Sequence, residues 1–224
     1  MSTEKLISEL QESSPQLIYD ELSLGDDEWS PNRICFYGPD SRTLLISGPI
    51  DDNVSAAVVS QILKLSILEP DEPITLHVNS EGGVYSDTMA IYDALRLSPC
   101  PIVTLGMGEC SSAGLILFMA GDLRLSYPST RYFYHPVVAS AGDCISQQMI
   151  DGQRRLYTEQ NQNISKLLRE RSKMSEEDWD THFKDNVFAT FGAEECVGFN
   201  IVHKILRPKA KSITLGETKY GIER

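Results

Sequence analysis

Nowhere in these 224 residues is there an uninterrupted apolar run of the roughly 18–20 residues that a membrane-spanning helix requires. Positive charge is scarce as well: 20 Lys and Arg stand against 32 Asp and Glu, a formal net charge of -12. A general nucleic-acid-binding surface needs a basic face, so this balance argues against nucleic acid as a partner. The five cysteines (Cys35, Cys100, Cys110, Cys144, Cys196) are scattered, odd in number and without a C-x-x-C pair. They read as reduced thiols, not as a disulfide framework or a zinc site. No His/Asp/Glu grouping has metal-ligand spacing. Neither a Walker A nor a G-x-G-x-x-G motif is present, so no cofactor is expected and any nucleotide chemistry belongs to a partner. The polar, amphipathic start, Met1 to Gln11, lacks the apolar core of a signal peptide, which predicts a cytoplasmic protein without a membrane anchor.

What is present is ordinary in amount, with 41% apolar and 23% charged residues, and is enough for one domain with its own core. Residues 1–40 read as an amino-terminal arm whose stretch from Glu21 to Asn32 is acidic and turn-rich. The body spans 41–206, and 207–224 is a polar, basic-leaning tail expected to be mobile. Within the body, strand-like and helix-like runs alternate. Thr43 to Ser47 is β-type. Val54, Val58, Ile62, Leu65 and Leu68 recur at helical spacing behind Asp52 or Asn53 as N-cap. Ile74 to Val78 is a strand, followed by a helix to Leu97, and Ile102 to Leu105 is a further strand. Such β-loop-α repetition predicts an α/β architecture with largely parallel pairing. Residues 145–171 form a long helical candidate of roughly 40 Å, read either as a bent helix on its own core or as a projecting arm that pairs with another subunit. Short helices are expected after Ser175 and at Glu194 to Phe199, with a final strand at Ile201 to Leu206.

Two glycine-rich turns carry the chemistry. Asn79-Ser80-Glu81-Gly82-Gly83 follows one strand and Gly108 to Gly114 follows the next, with Ser112 between an apolar strand-like run and an apolar helix-like run. A serine at such a turn has its hydroxyl exposed and backbone N–H groups pointing outward. His135 closes the run Tyr132-Phe133-Tyr134, at a strand end suited to taking a proton. Serine and histidine together predict acyl-transfer chemistry. Cys110 lacks a thiolate-stabilising cation nearby and is a poor nucleophile by comparison. His77, His182 and His203 read as structural or surface residues.

Taken in order, a set of segments resembles the ClpP family, the proteolytic subunits of the ATP-dependent Clp protease. They are Gly48-Pro49-Ile50-Asp51, Ile74 through Val84, Tyr92-Asp93-Ala94-Leu95, Gly108 through Gly114, Tyr127 through Arg131 with His135-Pro136, and Glu195 through Val202. The resemblance implies a ClpP/crotonase-type α/β fold of repeated β-β-α units with a projecting long helix. It implies a serine endopeptidase acting on unfolded polypeptides inside a homo-oligomer of stacked heptameric rings, fed by a ring ATPase unfoldase. The alternatives are a catalytically inactive ring subunit or a crotonase-type acyl-CoA enzyme. Carried over, Ser112 is the nucleophile, His135 the general base, and the N–H groups of Gly83 and Ala113 the oxyanion donors. The third member falls in Lys184-Asp185-Asn186-Val187. Counting from the helix reaches Asn186, and a one-residue insertion selects Asp185, which is favoured because a carboxylate stabilises an imidazolium better than an amide does. Glu81 stands where the family has proline, adding a charge beside the expected cleft.

Overall fold

Ile74–Ser80 (β3) is a seven-residue strand with Ile74, Leu76 and Val78 fully buried, and the sheet is built around it. The computed structural model describes residues 34–36, 41–137, 146–184, 188–207, 212–215 and 218–221. Most of the amino-terminal arm, Cys144, Asp185 and Asn186 lie outside the described residues. Ile34–Phe36 (β1) pairs antiparallel with Thr43–Ser47 (β2). β2, β3 and Ile102–Ser111 (β4) then run parallel, as do Leu123–Ser126 (β5) and Lys204–Ile205 (β8), in the order β1-β2-β3-β4-β5-β8. Asp52–Leu68 (α1) and Tyr85–Leu97 (α2) connect the parallel strands, as crossover geometry requires.

Three local expectations are corrected. The N-cap of α1 is Asp51, not Asp52 or Asn53; its extended backbone lets the side chain accept from the Val54 N–H at 2.9 Å. Val54, Val58, Ile62 and Leu65 face the core, whereas Leu68 is exposed. The expected last strand shrinks to Lys204–Ile205. In the tail, Ser212–Leu215 (β9) and Thr218–Gly221 (β10) pair antiparallel in a separate two-stranded sheet.

β4 is the element that places the site. Its first half, Val103 to Gly106, pairs with β5, and its second half, Glu109 to Ser111, pairs with Arg131–Tyr134 (β6). The register against β3 shifts between Val78 and Ser80. The strand therefore runs through the glycines that read as a turn, because it changes partner there instead of ending. Gly106 admits the Tyr132 hydroxyl, which donates to Ser126 Oγ at 2.8 Å.

Ala113–Met119 (α3) follows, with every residue buried. Three arginines close its C-terminal end. Arg96 Nη1 donates to the Ala120 carbonyl at 3.0 Å, Arg171 Nε to Met119 at 2.8 Å, and Arg124 Nη1 to Gly121 at 3.0 Å. Guanidinium groups at a helix C-terminus satisfy orphan carbonyls and complement the helix dipole. Arg124 is itself buried and also donates to the carbonyls of Ile201, Arg171 and Asn200, locking the chain's last third onto this helix.

Gln147–Arg171 (α4) is a 25-residue helix capped by Ser146, whose hydroxyl accepts from the Met149 N–H. Its buried residues are Ile164, Leu167 and Leu168, all in its last third, while Met149, Ile150 and Leu156 are between 43% and 49% exposed. The fully buried apolar residues of the helix are thus confined to its last third. Glu176–Trp179 (α5) opens with a Ser175/Asp178 capping box and runs into a π-helical turn, Asp180–Lys184. Ala189–Gly192 (β7) returns antiparallel to β6, and Ala193–Gly198 (α6) leads to β8.

Burial makes acid a destabiliser. His77 is held neutral by desolvation, its pKa lowered from 6.5 to about 4, and His203 is likewise lowered to about 4 by burial and by Arg124, Arg171 and Lys173. The unfolded chain takes up these protons first, so stability is full above about pH 6.5 and falls as the pH drops toward 4. We expect the thermal midpoint to fall over that window, with His77 alone accounting for on the order of 2 kcal/mol. His77→Gln should flatten the profile, and an unchanged slope would contradict this origin.

Candidate active site

The strand-to-helix junction forces Ser112 into a rare conformation. It has φ 52° and ψ -117° at the N-cap position of α3, one of two non-glycine residues with positive φ among those described. Such backbone costs of order 1–3 kcal/mol and persists only where the surroundings impose it. Here they do: the Ser112 N–H donates to the Phe133 carbonyl at 2.8 Å, and its own carbonyl accepts from Leu115 and Ile116. Its neighbour Ser111 is buried and its hydroxyl donates to Glu109 Oε1 at 2.5 Å, so it is already engaged. Cys110 is fully buried, and desolvation pushes its thiol pKa far up, which removes it as a nucleophile.

The Gly82-Gly83 turn is pressed against this junction. Gly82 has φ 113°, and a Cβ there would lie 2.7 Å from Ser112 Cβ and 3.0 Å from the Ala113 nitrogen. Gly83 forms a parallel bridge with Ile50, in which Ile50 N–H donates to the Gly82 carbonyl and Val84 N–H to the Ile50 carbonyl. That bridge leaves the Gly83 N–H out. The Ala113 N–H, at the first position of α3, is one of the four donors a helix leaves without an internal partner. The two turns expected at one sheet edge are thus brought together, because β3 and β4 are parallel neighbours.

His135 follows β6, its Nδ1 2.7 Å from the Pro136 carbonyl, with Phe133 and Phe188 rings at 5.7 and 6.3 Å. A donor at Nδ1 leaves Nε2 as the basic nitrogen. Ser112, His135, Gly83 and Ala113 all line one cavity of about 400 Å³. Within the described residues no hydrogen bond joins the serine and histidine side chains; in ligand-free sites such bonds are commonly long. Val84, Leu115, Ile116, Leu156, Ile164 and Leu168 make much of the wall, and among the described residues no Asp, Glu, Lys or Arg lines it. Glu81 is exposed and is not part of this lining, so its charge sits outside the cavity. Tyr85 and Gln160 were not singled out from the sequence, although the helical period of α4 puts Gln160 on one face with Ile164 of its apolar stripe.

Asp185 and Asn186 lie outside the described residues. The chain on either side is described: β7 starts at Ala189 opposite Tyr134, and Phe188 packs on the Phe133 ring at 5.7 Å. Among the described residues there is no cluster of His, Cys, Asp and Glu fit for a metal ion, and no helix is long and apolar enough to cross a membrane.

A parallel-dominated sheet with covering helices, and a strained serine at the head of a buried helix, define an α/β protein with a strand-to-helix serine turn on a largely apolar cavity. The model of the Clp protease family matches residues 36–209, and the chain belongs to that family. The ATP-dependent Clp protease proteolytic subunit 1 of Corynebacterium jeikeium (strain K411) is 34% identical over 119 residues, 52% of this chain and 63% of the relative. The match thus spans less than two thirds of that relative's length.

Proposed function

We propose that this chain is the proteolytic subunit of a self-compartmentalised serine endopeptidase that cleaves unfolded polypeptides. The observation that carries the reading is the junction itself: Ser112 held at positive φ, on the same cavity as His135 and the N–H donors of Gly83 and Ala113. His135 Nε2 takes the Ser112 proton as Oγ attacks a peptide carbonyl. The Gly83 and Ala113 N–H groups stabilise the oxyanion, each worth about 3–4 kcal/mol in the transition state when well placed. His135 then protonates the leaving amine, and water hydrolyses the acyl-enzyme. The apolar wall favours an apolar side chain beside the scissile bond.

The exposed amino-terminal part of α4, which carries Met149 and Ile150, suits contacts between subunits in stacked heptameric rings, and a ring ATPase unfoldase supplies the extended chain. Native mass spectrometry tests the assembly: a mass of many subunits supports it, and a lone 25.0 kDa subunit at working concentration refutes it. For the third member we assign Asp185, in the stretch bracketed by residues at the His135 end of β6. Asp185→Ala should lower turnover at least about a hundredfold, and Asn186→Ala far less. Equal rates for the two variants would remove the assignment.

A further inference from the structure

The face of α4 that lines the Ser112 cavity is a stripe at four-residue spacing: Leu156, Gln160, Ile164 and Leu168. Three of the four are aliphatic, and Ile164 and Leu168 are buried. Gln160 is the polar exception. Its Oε1 is shielded from solvent and has no hydrogen-bond partner among the described residues. Only one other side-chain atom among those residues shares that condition, Ser172 Oγ, and it does not line the cavity. The polar neighbours of Gln160 on the helix do find partners. The Val137 N–H donates to Asn161 Oδ1 at 2.6 Å, and Asn163 Nδ2 donates to Tyr85 Oη at 2.9 Å. Val137 and Tyr85 both line the cavity, so these bonds hold α4 against it with the Gln160 acceptor unused.

A leucine at position 160 would complete the stripe without cost, whereas an unpaired buried acceptor forfeits its hydrogen bonds to water. The amide is accounted for if the ligand brings the donor. Among the described residues no charged side chain lines the cavity, so a Lys or Arg tip would enter without a counter-ion. Val84, Leu115, Ile116 and Ile164 suit an apolar body, and a volume of about 400 Å³ has room for a ring. Tyrosine and tryptophan combine an apolar ring with one neutral donor.

We propose that Gln160 is a specificity-determining residue: its Oε1 accepts a hydrogen bond from the phenol or indole tip of a substrate aromatic residue beside the scissile bond. The proposal rests on the peptidase reading and narrows its substrates from apolar side chains in general to aromatic ones that carry a donor. The last torsion of a glutamine is broad, so the amide can turn to meet the incoming group. Phenylalanine fills the same space but leaves the acceptor unpaired, and a site that hydrogen-bonds a hydroxyl discriminates against the analogue lacking it.

The test uses the assembled full chain and two quenched peptides that differ only in one residue, tyrosine or phenylalanine, with the cut beside it mapped by mass. Wild type should cleave the tyrosine peptide with a kcat/KM at least about fivefold above that of the phenylalanine peptide. Gln160→Leu and Gln160→Met should bring that ratio to about one or below, because the phenol then enters without an acceptor. A packing role alone predicts that both peptides slow together and the ratio stays. An unchanged ratio in the two variants, or no preference for tyrosine in wild type, overturns the proposal. If wild type cleaves neither peptide, the peptidase reading fails by itself. The Kd values of the two peptides for Ser112→Ala, with and without Gln160→Leu, then decide the role of Gln160, and equal affinities or no binding overturn it.

Discussion

Ser112→Ala is expected to lower peptide hydrolysis at least about ten-thousandfold and leave the fold in place. Removing the nucleophile of a serine–histidine unit costs nearly as much as removing the unit, because its members act together. The oxyanion donors and the cavity survive, so substrate binding should persist while turnover collapses. Stability should change little, since alanine inherits the same positive φ and the N–H bond to Phe133 that holds the residue there. The alternative hydroxyl, Ser111, is buried and engaged with Glu109, and cannot substitute. Hydrolysis that persists in Ser112→Ala at more than a few per cent would place the nucleophile elsewhere.

The second large effect is expected at Gly83. A Cβ there would overlap the Ile50 carbonyl oxygen and sit 2.6 Å from the Ile50 nitrogen, so the backbone of the bridged Ile50 segment crowds it and no flexible side chain can yield. Gly83→Ala must therefore move the turn away from the Ile50 bridge and carry the Gly83 N–H with it. Loss of one oxyanion donor costs about a hundredfold to a thousandfold in turnover. We expect that loss in kcat, accompanied by destabilisation of about 1–3 kcal/mol from the displaced backbone. The measurement is kcat on a short peptide beside a denaturant titration. Wild-type kcat would show that the Gly83 N–H plays no part.

Both effects trace to features legible in the sequence, and the reasons are local. Paired glycines after an apolar strand, and a serine between an apolar strand and an apolar helix, are dictated by backbone geometry, so they leave a mark in composition. The alternation from Ile74 to Val78 and the helical spacing from Val54 to Leu65 marked their elements for the same reason. What could not be read depends on contacts distant in the chain. β4 reaches Ser111 because it exchanges β5 for β6, and nothing in Gly106-Met107-Gly108 announces a change of partner. The N-cap of α1 fell one residue early, since Asp51, Asp52 and Asn53 all have suitable side chains and only the backbone at Asp51 selects between them. Asn161 stands in a polar run of α4 that resembles any solvated helix face. Its bond to Val137 joins positions 24 residues apart and has no local signature.

The most direct test of the central claim is fluorophosphonate labelling of the assembled protein, with mass mapping of the modified peptide. An activated serine at the α3 junction predicts a single label on Ser112, abolished in His135→Ala. No label on a folded, ring-sized assembly, or a label that survives the loss of His135, would contradict it.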